Sequence, residues 1–239
     1  MKDSLLKFDI NKVLDELAEY RPIFHNERDF QFELGMYIKE HYECQIRMEF
    51  FYGFQGDNKK RCYIDIVAFS DTDNCCIAFE LKYKTRKEEN DYLNYGNEKF
   101  YLKDQGAQDY GCCDVYSDIQ RLELLLKSNS INESSIINNP FQKYTKHKGY
   151  VIFITNDHKY YKKGFKDNSL FSDFAFNKDN LNKKPKFNTK GKKIDDTCAA
   201  KYKYLSKNGL MKEYEVEWKT WNKNNKSFDQ FQRVYFEIK

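Results

Sequence analysis

Residues 44–84 hold three strand-like runs separated by very short turns, and this spacing narrows the possible folds more than any other feature of the chain. CQIRMEFFY (44–52) alternates apolar and polar residues, RCYIDIVAF (61–69) is rich in β-branched and aromatic residues, and CCIAFELKYK (75–84) continues the pattern. A turn around Gly56, Asp57 and Asn58 parts the first two runs, and SDTDN (70–74) parts the second and third. A parallel crossover needs roughly a dozen residues or more, so connections this short predict an antiparallel meander.

The elements around the meander follow from periodicity and capping. DINKVLDELAE (9–19) predicts a short amphipathic helix capped by Asp9, with Val13, Leu14 and Leu17 on one face, and Pro22 stops it. A second helix starts after Asn26, carries Glu27 and Asp29 in its first turn, and has Phe30, Leu34, Tyr37 and Ile38 as its apolar stripe. Glu27 falls on the side of that stripe, an odd place for a carboxylate without a partner. DVYSDIQRLELLLK (114–127) is the strongest helical pattern, with Val115, Ile119, Leu122 and Leu126 on one face. GYVIFITND (149–157) predicts a strand buried on both faces. The polar stretch from Thr85 to Cys113 has no clear period and reads as a long connection of a functional or mobile kind. YEVEWKTW (214–221) and FQRVYFEI (231–238) predict two late strands. The whole is an α/β (α+β, mixed-sheet) chain read as one domain, 1–239. Its core spans about 25–157, a basic loop-rich segment about 158–195, and the C-terminal strands about 214–238.

Composition excludes several classes. Charged residues make up 33% of the chain and no run approaches the roughly 18–20 apolar residues of a membrane span, so no membrane partner is expected and the chain reads as cytoplasmic. Seven cysteines, two pairs of them adjacent, suit reduced buried thiols better than disulfides or zinc. No GxxxxGK[ST] loop or GxSxG elbow occurs, so neither a nucleotide cofactor nor a serine hydrolase is expected. Net charge is only +4, yet residues 143–193 carry 14 lysines against 4 aspartates, a local +10 that leaves −6 for the rest. Tyr144, Tyr150, Tyr160, Tyr161, Phe165 and Phe187 are interleaved with these lysines, a pattern suited to phosphate contact and base stacking. Lysine spread for solubility would give the same count.

The chemistry lies in charged residues inside the strands. Asp65 interrupts the second run, and Glu80 and Lys82 interrupt the third on one face, opposite Phe79, Leu81 and Tyr83. Two carboxylates on neighbouring strands can hold a hard divalent cation, Mg²⁺ (or Mn²⁺), which polarises a phosphorus centre. A lysine two residues on can orient the attacking water. Ion pairing of Asp65 or Glu80 with Lys82 on a solvated face would place the same residues there for structural reasons. Lys84 and Arg86 continue the third run and could reach phosphates; Arg121 and Glu123 read as surface or helix-pairing charges.

YID (63–65) followed by ELK (80–82) resembles the PD-(D/E)XK nuclease superfamily, the restriction-endonuclease-like fold, with Ile64 where that motif has proline. Together, PIFHNERDFQ, IDIVAF, FELKYKTR, QGAQDYG and GYVIFITND also look like a bacterial restriction-endonuclease-like group. The resemblance covers about residues 25–157 and implies a helix followed by a β-β-β-α-β core. It implies metal-dependent hydrolysis of DNA phosphodiesters by an endonuclease of restriction, defence or repair type. Asp65, Glu80, the Leu81 carbonyl and Glu27 would hold the metal, Glu33 being a weaker choice than Glu27. Lys82 would act on the water, and Gln105 or Gln108 would supply a functional glutamine. DNA is the expected partner, with Lys84, Arg86, Lys183, Lys184 and Lys186 as contacts, and a homodimer is the arrangement by which two sites would cut both strands. A catalytically silent nucleic-acid-binding or partner-binding module on the same fold is the alternative.

Overall fold

The structure is a computed structural model that describes residues 2–55, 60–87, 93–127, 136–166, 169–188, 208–222, 228 and 230–239. Helix α1 spans Ile10–Tyr20, and the Asp9 side chain accepts from the N–H groups of Asn11 and Lys12. Helix α2 spans Glu27–His41, and Asn26 caps the N–H groups of Arg28 and Asp29 in the same way. Each cap satisfies otherwise orphaned donors and contributes about 1 kcal/mol.

The meander forms as its spacing predicts: β1 (Gln45–Gln55), β2 (Lys60–Ser70) and β3 (Cys75–Lys84) pair antiparallel in sequence. The expected turn at Gly56–Asn58 lies outside the described residues. The stretch after β3 is more structured than its composition suggests. It holds a small hairpin, β4 (Leu93–Tyr95) with β5 (Glu98–Phe100), and helix α3 begins at Gln108 and runs to Lys127, six residues earlier than its apolar stripe predicts. Gln108 is therefore a helix residue, and its Nε2 donates to Asp157 at 2.8 Å. α3 carries the chain over to β6 (Lys146–Thr155), which pairs parallel to β3.

The late segment needs a second correction. Of residues 214–221 only Lys219–Thr220 form a strand, β7, and Glu215 makes an isolated bridge to Asn180. Alternation alone misjudged this run because Tyr214 and Trp218 are taken by α3 and its overlying loops: the Tyr214 hydroxyl donates to Glu123, and Trp218 Nε1 to the Phe176 carbonyl. β8 (Gln232–Ile238) forms as expected and pairs antiparallel to β6. The result is a mixed six-stranded sheet ordered β1-β2-β3-β6-β8-β7.

Both sheet faces are covered. α1 and α2 pack on one, against Ile66, Phe79, Leu81, Tyr83, Tyr150 and Ile152. α3 and the segments after β6 pack on the other, against Val67, Ala78, Val151, Phe153 and Phe236. Each such large side chain removed from water contributes about 1.5–3 kcal/mol. Three aromatics expected among the basic surface, Tyr144, Tyr150 and Tyr160, belong instead to these cores, while Tyr161, Phe165 and Phe187 are partly buried against the α3 side. Among the described residues, no helix is long and apolar enough to cross a membrane.

Candidate active site

The site lies where β2 and β3 part. Their ladder is regular from Ser70–Cys75 to Ile66–Phe79 and stops there, one position before Asp65 would face Glu80. β2 itself continues, paired to β1, as far as Lys60. It also turns over at this point: Ile64 packs on the α3 side and Ile66 on the α1–α2 side, only two residues apart. The matching residue of β1, Glu49, is missing from the β1–β2 register and has φ 50°, an uncommon backbone conformation for a residue other than glycine. Irregularities of this kind bend a strand and re-aim a side chain.

Parting the strands frees main-chain groups on the β2-facing edge of β3, and buried N–H groups must find acceptors. Carboxylates take the place of the lost strand. The Leu81 N–H donates to Asp65 Oδ2 at 2.6 Å, and the Tyr83 N–H donates to Glu27 Oε2 at 2.9 Å. Glu27 thus has the partner its position on the buried stripe demanded. On the β2 side the freed Asp65 carbonyl accepts from Gln31 Nε2 at 2.6 Å, and the same nitrogen lies 3.4 Å from Glu49 Oε1. In an extended strand the N–H and C=O of one residue point the same way, so the Leu81 carbonyl opens into the same gap. Lys82 Nζ donates to that carbonyl at 3.0 Å.

Glu80 and Lys82 point to the other face, and α3 meets them there. Lys82 Nζ lies 2.7 Å from Asp118 Oδ2, Arg121 Nε lies 3.0 Å from Glu80 Oε1, and Arg121 Nη2 also pairs with Asp118 Oδ1. The first two are ion pairs by distance whose angles fall outside hydrogen-bond geometry. The Glu80 side chain is 2% exposed and that of Arg121 28%. Arg121 and Glu123 are therefore not surface charges. Glu123 is buried and accepts from the Met211 and Lys212 N–H groups and the Tyr214 hydroxyl.

Burial sets the electrostatics. Loss of solvation pushes the Asp65 carboxyl up to about 6, with Lys82 and the Leu81 N–H opposing and Asp118 and Glu27 reinforcing the rise. Burial raises Glu80 well above the ordinary carboxylate range despite Arg121. Burial alone would lower Lys82, but Asp118, Glu27, Asp65 and Glu80 together hold it above its ordinary value. The same balance raises Arg121 through Glu80 and Asp118. At both carboxylates the loss of solvation outweighs the neighbouring positive charge of Lys82 and Arg121.

The residues present suit a hard divalent cation. Asp65, Glu80 and the Leu81 carbonyl offer oxygen donors, and Mg²⁺ typically takes only one or two protein carboxylates. Among the described residues, no group of three His, Cys, Asp or Glu side chains forms a metal-holding cluster, so such a site would rest on the pair and the carbonyl.

Other expected residues lie elsewhere. Gln105 ties the end of β3: its N–H donates to the Thr85 carbonyl at 2.9 Å, and its Oε1 accepts from the Thr85 N–H at 3.3 Å. Arg86 is exposed beside it, with its main chain bonded to the Asn156 side chain and Nη1 3.4 Å from His158 Nδ1. Lys84 is half-buried. Lys183, Lys184 and Lys186 are exposed on a segment held to α3 by Tyr116, which accepts from the Asn182 N–H. At roughly 100° per residue, Tyr116 stands about 140–160° round α3 from Arg121 and Asp118, so this segment and the cleft flank opposite sides of the helix.

Asp118, Gln31 and Glu49 are not singled out in the sequence, and Arg121 is read there only as a surface or helix-pairing charge; its pairing along the helix, with Asp118, is present. Asp118 and Arg121 share a helix flank at i, i+3 spacing, the one signal that could have found them. The chain matches no family model, no curated protein and no solved structure.

Proposed function

We propose that the chain is a divalent-metal-dependent nuclease that hydrolyses phosphodiester bonds of DNA in the cleft between β2 and β3, on a restriction-endonuclease-like core. The observation that carries this reading is the broken ladder. Asp65 turns its carboxylate to the edge of β3 where the two strands part, the Leu81 carbonyl beside it holds Lys82, and Glu80 stands next along β3 on the α3 face. A sheet serving only as scaffold gains nothing by ending its ladder on two desolvated carboxylates.

In this reading Asp65, Glu80 and the Leu81 carbonyl hold Mg²⁺ or Mn²⁺, which when bound supplies Lewis acidity toward the phosphodiester. Lys82 is protonated and stands ready to orient a water and to offset charge developing on the phosphorus oxygens. Glu27 fixes the Tyr83 main chain and so the direction in which β3 leaves the cleft. Arg86, exposed at the end of β3, and Lys84 beside it would hold phosphates close to the cleft. Lys183, Lys184 and Lys186 would hold them farther along the duplex, and two copies of the chain would be needed to cut both strands at one place.

A second reading has an observation of its own. Glu80 and Lys82 are both paired with charges of α3, which is how a silent DNA-binding module would keep them. Single-turnover cleavage of plasmid DNA, with metal binding followed by calorimetry, separates the two. In the nuclease, Lys82→Ala abolishes cleavage but keeps most metal affinity, while Glu80→Ala loses both. A silent module binds DNA and cuts nothing with Mg²⁺ or Mn²⁺, and both substitutions then act on stability alone.

A further inference from the structure

Arg121 lies between helix and sheet. Its guanidinium forks between two carboxylates, with Nε toward Glu80 on β3 and Nη2 toward Asp118 one turn back on its own helix. The two arms differ. The arm to Asp118 is a hydrogen bond between i and i+3 neighbours on one helix, so it survives any movement of the helix as a whole. The arm to Glu80 crosses from helix to sheet, and although it is 3.0 Å long its angles do not make a hydrogen bond. Arg–carboxylate pairs are strongest when two parallel N–H···O bonds align, and this one has a single misaligned contact. Glu80 is almost fully withdrawn from solvent with the guanidinium 3.0 Å from it, so a metal ion that takes Glu80 must displace that contact.

We propose that Arg121 is an internal cation that neutralises Glu80 while no metal is bound, and that it withdraws onto Asp118 when Glu80 is handed to a divalent ion. This rests on the metal site proposed above and adds its regulation. Asp118 is the residue that makes the exchange favourable: it already holds the other arm of Arg121 and anchors Lys82, so the guanidinium leaves Glu80 without being stranded. Glu80 has a positive partner at each end of the exchange, first the guanidinium and then the metal, as a buried carboxylate requires. Arg121 and Asp118 are thus positioning residues that set how readily the cleft accepts metal.

The test is calorimetric titration of Mn²⁺ alone into wild type, Arg121→Gln, Asp118→Asn and Asp65→Ala. Arg121→Gln should bind Mn²⁺ at least tenfold more tightly than wild type, because nothing competes for Glu80. Asp118→Asn should bind it several-fold more weakly, because Arg121 then has Glu80 as its only carboxylate. Equal or weaker binding by Arg121→Gln, with wild type binding and Asp65→Ala not, overturns the exchange and leaves the metal site standing. Binding by none of the four overturns both. Should Arg121→Gln fail to fold, the Nε–Hε NMR resonance of Arg121 in the wild type decides the matter. Mg²⁺ should shift it and speed its exchange with water, and a resonance that Mg²⁺ leaves unmoved overturns the proposal.

Discussion

The pair β2–β3 behaves as two different structures along its length. From Ser70–Cys75 to Ile66–Phe79 it is a closed ladder flanked by apolar side chains on both faces, and Ile77, Ala78 and Phe79 are all buried. One position farther the ladder ends, and side-chain carboxylates from Asp65 and Glu27 serve the main-chain N–H groups that a strand would have served. The closed half draws its stability from area removed from water. In the open half, stability depends on charge placement, and its polar groups are satisfied one at a time by residues from α2, β2 and α3.

If that division is right, damage to the closed half should be large and indifferent to metal. Ile77→Ala should cost about 2–5 kcal/mol of unfolding free energy, through lost burial and a residual cavity, and leave the stabilisation by added Mg²⁺ unchanged. Denaturant titrations with and without Mg²⁺ measure both quantities, and a changed Mg²⁺ increment would mean that the two halves are coupled.

The open half should respond to pH in the reverse of the usual carboxylate sense. Asp65 titrates near pH 6 in the folded chain, above an unfolded carboxylate. The folded state therefore keeps its proton longer, and the stability due to this group is full below about pH 4 and lost as pH rises through 6. With metal absent, the stability difference between wild type and Asp65→Asn should fall by about 2–3 kcal/mol between pH 4 and pH 7. A difference flat in pH would mean that Asp65 is better solvated than its contacts imply. The smallest effect should come from the partner of the freed carbonyl. Gln31→Ala leaves the Asp65 carbonyl without its donor and should cost about 1–2 kcal/mol, with no loss of helix content by circular dichroism.

The two halves also differ in how legible they are from the residues alone. Apolar periodicity announced the closed half, the ends of α1 and α2, and the buried β6, because burial repeats along the chain with the period of the element. Asp65, Glu80 and Lys82 were legible as charges that broke the period. Their partners were not. Asp118 and Arg121 lie in a helix whose apolar stripe is complete without them, so only the β3–α3–β6 crossover reveals that they face β3. Glu49 and Gln31 were silent because the turning-over of β2 is a main-chain event with no residue of special type to mark it. The hidden first turns of α3 have a similar cause: Gln108, Asp109 and Tyr110 carry no stripe, and Gly111 meets the Tyr160 hydroxyl where a Cβ would stand 2.5 Å from it.

The parallel pairing of β3 with β6 has a consequence for how the chain assembles. Lys84 ends one strand and Lys146 begins the other, so the central pairing of the sheet closes a loop of some sixty residues. Hairpins of a few residues close in about microseconds, whereas distant pairings must first overcome a larger entropic search. The meander can thus form early as a local unit, while Glu80 and Lys82 wait, without their α3 partners, on an exposed edge of β3. β6 in turn stays open on its far side until β8 is made, about seventy-five residues later. During synthesis the chain presents first one and then another apolar sheet edge, each a template for pairing with a neighbouring chain. The part of the molecule most exposed to such errors is the β3–β6 seam, which also carries the charges of the cleft.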